Sequence, residues 1–262
     1  MILSSNGKKP KVHASAYVAP NAILSGDVTI EEGCAILYGA VITAEGAPAV
    51  IGANTVIMEN AVLKSSGGSA IQFPLAVGES CIIGPTAYVV GASLDPGVFI
   101  AAGAKVFNGA TIEEGVSVAL GGIVHINTRL PSGTHVPMQH IAYGDPAAIH
   151  PPREAPEVHK QINFFETVFN LPYSDDVRAK AAEAYAKFLR KTHAKDATVD
   201  QAVAATKPGS PKGAPTGKTR EEPPPTQSAD VAKVLDVTFM ELEEARMRRE
   251  AALDRERRGK PK

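Results

Sequence analysis

The sequence predicts a mainly β chain, wound as a left-handed parallel β-helix of about seven turns and followed by C-terminal α-helices. Three observations predict it. An aliphatic residue falls at every sixth position through Leu94, Ile100, Val106, Ile112, Val118, Val124, Leu130 and Val136. A small or β-branched residue sits two places before each following aliphatic, at Val98, Ala104, Ala110, Val116, Gly122, Thr128 and Thr134. The same beat runs earlier, through Val12, Val18, Leu24, Ile30, Ile36 and Ile42, with Ala16, Ala22, Val28, Cys34 and Ala40 at the small position. A period of six fits neither a helix nor an alternating strand. It fits a chain that turns a corner every six residues, with three hexapeptides closing a triangular turn. The aliphatic fills the inside of the prism and the small residue lets the corner close. A single turn leaves its apolar face bare until the next stacks on it, so the turns are stable only as an array. The left hand of this repeat is an exception to the usual right-handed crossover.

In chain order, residues 1–11 read as a polar lead-in, and the coil occupies most of a first domain, 1–152. The beat slips at Thr43–Val50 and again, more widely, at Lys64–Ala76; one residue is missing between Val89 and Leu94. Insertions in solenoids leave from corners and often gather on one face, where they build a site. Pro137, Pro146 and the Pro151-Pro152 pair end the regular repeat. Residues 153–193 form a flanking α-helical segment. Val158, Ile162, Phe165, Val168 and Phe169 recur at helical spacing as one stripe. After Leu171-Pro172, Ser174 is placed to N-cap a second helix, whose apolar face is Val177, Ala181, Ala184, Tyr185 and Phe188. Residues 194–228 have the Pro/Gly/Lys composition of a disordered linker. Residues 229–262 read as a charged helix with a short stripe of Val231, Leu235, Phe239 and Leu242, suited to docking on a protein partner.

A net charge of −1 gives no global field that would draw nucleic acid or an anionic membrane. The chain has no Trp, as expected of a narrow interior that takes Val, Ile and Leu but not large rings. No long apolar run implies a transmembrane helix. The N-terminal stretch shows neither a signal h-region nor a long transit segment, so the expected compartment is the cytoplasm. Cys34 and Cys81 both fall at small-corner positions. They lie on one corner two turns apart, beyond disulfide reach, and are expected to be buried free thiols.

The stretches GDVTIEEGCAILYGAVI, IGANTVIMENAVL and IAAGAKVFNGATI, followed by LPSGTHVPMQHIAYGDPAAI and a Phe-rich helix, resemble the γ-class carbonic anhydrase-like family over roughly residues 10–170. The resemblance implies a homotrimer of left-handed β-helices with zinc at the subunit interface, held by two histidines of one subunit and one of its neighbour. Carried onto this sequence, those ligand positions are Lys64, Pro85 and Val90, none of which is a histidine. The Arg-Gly-Asp that supports the family's site reads Thr43-Ala44-Glu45, and the substrate-orienting Gln reads Met58. A catalytic zinc needs three protein donors and one open position, so the expectation is no metal and no cofactor.

Positions one after the aliphatic stack as an outer column: Ser25, Thr43, Lys64, Val90, Phe107, His125 and Tyr143. His125 lies two turns beyond Val90 on it. As weak catalytic candidates we name His125, Glu45 and Glu59, the carboxylates as general base and acid. Lys64 beside Glu45 or Glu59 would form an ion pair at the old metal position. The leading functional expectation is a non-catalytic trimeric scaffold or assembly protein. ITAEGAPAVIGANTVIMENAVL also resembles the small pointed-end dynactin subunits, which are metal-free β-helices serving assembly. The alternatives are a hexapeptide acyl-CoA-dependent transferase using His125 or His140 as base, and a carbonic anhydrase or hydrolase with a divergent metal site.

Overall fold

The computed structural model describes residues 1–67 and 71–199. The predicted docking stripe at Val231, Leu235, Phe239 and Leu242, and most of the predicted linker, lie outside the described residues.

The hexapeptide beat coils as expected into a left-handed parallel β-helix with three walls. The second wall runs in seven strands from Lys11–Val12 to Arg129–Leu130, and the third in seven from Tyr17–Val18 to His135–Val136. The first wall starts at Ile2–Ser4 and ends at Ile141–Gly144. Every rung pairs in parallel with the rung one turn away. The aliphatics point inward: Leu24, Ile42, Leu63, Val89, Val106 and Val124 on the first wall are all fully buried. Ile51 and Ile112 on the second and Ile57, Ile83 and Ile100 on the third meet them. Burying one such side chain is worth about 1.5–3 kcal/mol, and the stacking repeats that gain at every rung. Ala22, Cys34, Ala40, Ala61, Ala87 and Ala104 are buried at the corners, where larger groups would hold the walls apart.

Cys34 and Cys81 are free and buried. Thr55 stands between them on the corner. Its Oγ1 donates to the Gly78 carbonyl at 2.9 Å and accepts from the Cys81 N–H at 3.0 Å. Burial pushes both thiols above their ordinary pKa, which keeps them protonated and unreactive.

The structure departs from the sequence reading at three places. Residues 1–11 are not only a lead-in, because Ile2–Ser4 is the first rung of the first wall and pairs with Ile23–Ser25. The linker does not begin at 194. Ala197–Thr198 pairs antiparallel with Ile2–Ser4 and covers that open edge, while Ala147–His150 folds back antiparallel on Ile141–Gly144 at the other end. Unpaired edges invite addition of another chain, and these two strands cover the two end rungs of the first wall.

The third departure concerns the helices. The single Phe-rich helix is split into α1 (Ala155–Lys160) and α2 (Phe164–Phe169). Asn163 accepts a hydrogen bond from the Glu166 N–H, three residues on, and so starts a new helix. Asn170 in the left-handed region closes α2. α3 (Val177–Thr192) is N-capped by position Asp176 rather than Ser174, whose hydroxyl instead donates to the Asp176 carboxylate at 2.8 Å. Among the described residues, no helix is long and apolar enough to cross a membrane.

Candidate functional site

All three irregularities of the beat fall at one corner, where the first wall gives way to the second. The first slip is a short turn after Val41–Ala44. The second is a hairpin, in which Val62–Gly67 runs on past the corner and pairs antiparallel with Gln72–Phe73. The missing residue is a tight corner at Gly91, whose N–H donates to the Lys64 carbonyl at 2.8 Å. Gly91 has φ +52, and a Cβ there would lie 2.4 Å from the Cβ of Phe73, so only glycine fits.

The outer column forms as spaced. Ser25, Thr43, Lys64 and Val90 are direct parallel partners. Lys64 Nζ donates to Glu45 Oε2 at 2.9 Å, with 17% and 12% of the two side chains exposed. The pairing partner is Glu45. Glu59 sits half-buried at another corner and is not brought to Lys64. Tyr185 of α3 completes a three-way network: its hydroxyl donates to Glu45 Oε2 at 3.1 Å and accepts from Lys64 Nζ at 3.3 Å. Ser65 fixes the carboxylate's backbone. Its hydroxyl accepts from the Glu45 N–H at 3.1 Å and donates to the Ala47 carbonyl. Burial works to lower the Lys64 pKa, but the hydrogen bond and charge of Glu45 outweigh it, and the ammonium is held above its ordinary value. Burial, joined by the Glu45 charge, raises the Tyr185 hydroxyl in the same way. The Lys64 ammonium and the Tyr185 hydroxyl therefore keep their protons at neutral pH.

α2 and α3 roof this corner and leave a cavity of about 450 Å³. Phe164, Val168, Phe169 and Phe188 line its helical side, and Tyr88 and Val90 its wall side. Lys64, Tyr185, Ser66 and Asn108 supply its polar groups. The Asn108 side chain, in a residue only 4% exposed, donates to the Ser66 hydroxyl. Tyr185, Ser65 and Asn108 escaped the sequence reading. Tyr185 is visible there only as part of a helical stripe, because nothing local announces a hydroxyl bond to a residue 121 positions away.

His125 lies further along the column and does not reach Lys64; three rungs separate them, roughly 14 Å. It stacks on Phe107 at 5.5 Å and meets the edge of Tyr143 at 6.1 Å. Its Nδ1 accepts from the Ile126 N–H at 2.8 Å. Burial, with the His159 charge adding to it, lowers its pKa. A histidine held neutral in the fold but free to charge when unfolded contributes stability above the unfolded pKa of about 6.5. That contribution is lost as pH falls through the lower folded value. Melting temperature should therefore drop on acidification from neutral pH, and His125→Phe, which keeps the stack, should drop less. A pH series of thermal melts on both proteins checks this. His140, the other candidate base, points its Nδ1 at the Met138 carbonyl, 2.9 Å away.

Lys64 and Val90 are neighbours, whereas Pro85 lies at the opposite end of the same wall, before Tyr88–Val90. An ammonium already donating to a carboxylate, a proline ring and a valine side chain do not fit zinc. Among the described residues, no three His, Cys, Asp or Glu side chains come together as a metal-binding group.

Stacked hexapeptide rungs, with every irregular corner gathered over one outer column, define a protein of the hexapeptide-repeat β-helix class. No family model matches the chain. It is 31% identical over 197 residues to "Gamma carbonic anhydrase 1, mitochondrial" of Arabidopsis thaliana, which spans 71% of this chain and 68% of that one. It is 30% identical over 108 residues to a carbonic anhydrase of Geobacillus kaustophilus, spanning 41% and 57%. Among solved structures, a hexapeptide transferase family protein from Anaplasma phagocytophilum aligns at 19% identity and a TM-score of 0.41, covering 73% of this chain and 96% of that one. The chain belongs to the γ-carbonic anhydrase family.

Proposed function

We propose that the chain is a non-catalytic member of this family that self-associates, as a trimer, and serves as an assembly scaffold. The Glu45–Lys64–Tyr185 network carries the reading. It puts a satisfied ion pair at the position that the resemblance assigns to a zinc-binding histidine, and among the described residues no donor set stands there for a metal-bound water. An apolar strip on the third wall supports self-association. Tyr17, Ala35, Val56, Ile82 and Phe99 are successive partners on its outer face, and Tyr17, Ile82 and Phe99 are exposed. Tyr38, Leu120 and Met138 are exposed at the corner that follows it, the corner that also carries Pro85. A contiguous apolar surface of this kind marks an interaction site. The compartment in this reading is the cytoplasm; the Arabidopsis relative is named as mitochondrial, and cell fractionation decides between the two.

Elemental analysis of untagged protein, with a carbon dioxide hydration assay, tests the reading. The expected result is zinc far below one ion per chain and no hydration activity. Near-stoichiometric zinc would overturn it. Light scattering should give the mass of three chains, and Phe99→Asp with Leu120→Asp should return single chains. Affinity capture should recover a partner with the full chain and not with a chain lacking residues 200–262.

A further inference from the structure

We propose that the cavity beside Lys64 binds a neutral, mostly apolar small molecule that carries a single carbonyl acceptor. Its volume of about 450 Å³ lies in the range of small-molecule sites. Four aromatic or aliphatic side chains of α2 and α3 face two of the first wall across it, so most of a bound molecule would be covered by carbon. Polar groups are few and specific, the pattern that orients a ligand rather than merely hydrating a crevice. The site also stands where the three departures from the coil converge, and the Lys64–Ser66 segment that lines it belongs to the larger insertion.

Charge decides the ligand's class. Glu45 at 2.9 Å cancels the Lys64 ammonium. An anionic head would find the Lys64 charge already answered by Glu45 and a cationic one would face the ammonium, and either would lose its hydration on entering. An ammonium has three donors. Glu45 and Tyr185 take two of those on Lys64, and the third suits a neutral oxygen. The paired, protonated amine holds such a carbonyl by hydrogen bonding and does not attack it. The assignment rests on the cavity alone and is independent of the scaffold reading.

The test uses the full chain and prodan, a neutral naphthyl ketone whose emission moves to the blue in apolar surroundings. The chain has no Trp, so intrinsic fluorescence contributes little background. The expected result is saturable, blue-shifted emission at one equivalent per chain, displaced by 2-acetylnaphthalene and not by 2-naphthoate. Val168→Trp should fill the cavity and weaken binding at least tenfold, while Thr111→Ala on the exposed face of the second wall should leave it unchanged. The paired variant Lys64→Met/Glu45→Gln keeps the cavity and should weaken the ketone without weakening 2-ethylnaphthalene. Absence of saturable binding, displacement by 2-naphthoate as readily as by the ketone, or equal binding by Val168→Trp of native melting temperature would overturn the proposal. Zinc content and oligomeric state report separately on the scaffold reading.

Discussion

Replacing Lys64 with methionine is expected to cost about 3 kcal/mol of unfolding free energy, at the lower end of what breaking a buried ion pair costs. The loss comes from what stays behind. Glu45, with 12% of its side chain exposed, would be left with only the Tyr185 hydroxyl and little water to answer it. The lower end applies because that hydroxyl still donates. Adding Glu45→Gln removes the stranded charge, and the double variant should return to within about 1 kcal/mol of the parent, since buried pairs gain little over neutral replacements. Urea unfolding of the parent, both single variants and the double variant, at one protein concentration, measures the coupling. The pH dependence has a definite sign. The folded Lys64 pKa is raised, so the pair's contribution is complete below the unfolded lysine value of about 10.4. It is lost as pH rises through the higher folded value. The gap between the parent and Lys64→Met should hold at neutral pH and close in strong alkali.

Gly91→Val should be of similar or larger effect. The backbone there is left-handed, at φ +52, and the added Cβ would lie 2.4 Å from the Cβ of Phe73 and 3.1 Å from the Asn108 amide nitrogen. A left-handed conformation costs an L-residue about 1–2 kcal/mol, and overpacking adds about 1–3 kcal/mol. The hairpin strand Gln72–Phe73 would have to move, carrying the edge of the cavity with it. The urea midpoint should fall strongly. Gly91→Ala should fall less, because it lacks the branched carbons. An unchanged midpoint for Gly91→Val would mean that the corner is not as tight as its geometry requires.

Much of this architecture was legible because a solenoid writes its contacts locally. Each inward aliphatic repeats six residues on, so the beat from Leu94 to Val136 specifies corner, core and rung together. The column through Lys64 and Val90 follows from the same arithmetic, and the slips at Thr43 and Lys64 point to the corner where the site lies. What was illegible depends on partners remote in sequence. Nothing in Ala197–Thr198 announces pairing with Ile2–Ser4. The split between α1 and α2 has a local signal in Asn163 and Glu166, but the unbroken apolar spacing from Val158 to Phe169 masks it. Tyr185 reads as one more apolar residue until the helix is laid on the wall.

The strand at Ala197–Thr198 also bears on where the chain can be cut. A protein ending at residue 193 would leave the coil's first rung bare, a ready template onto which the next molecule could add end to end. A fragment trimmed there for tractability would invite filaments, whereas one trimmed after Val199 would retain its clasp.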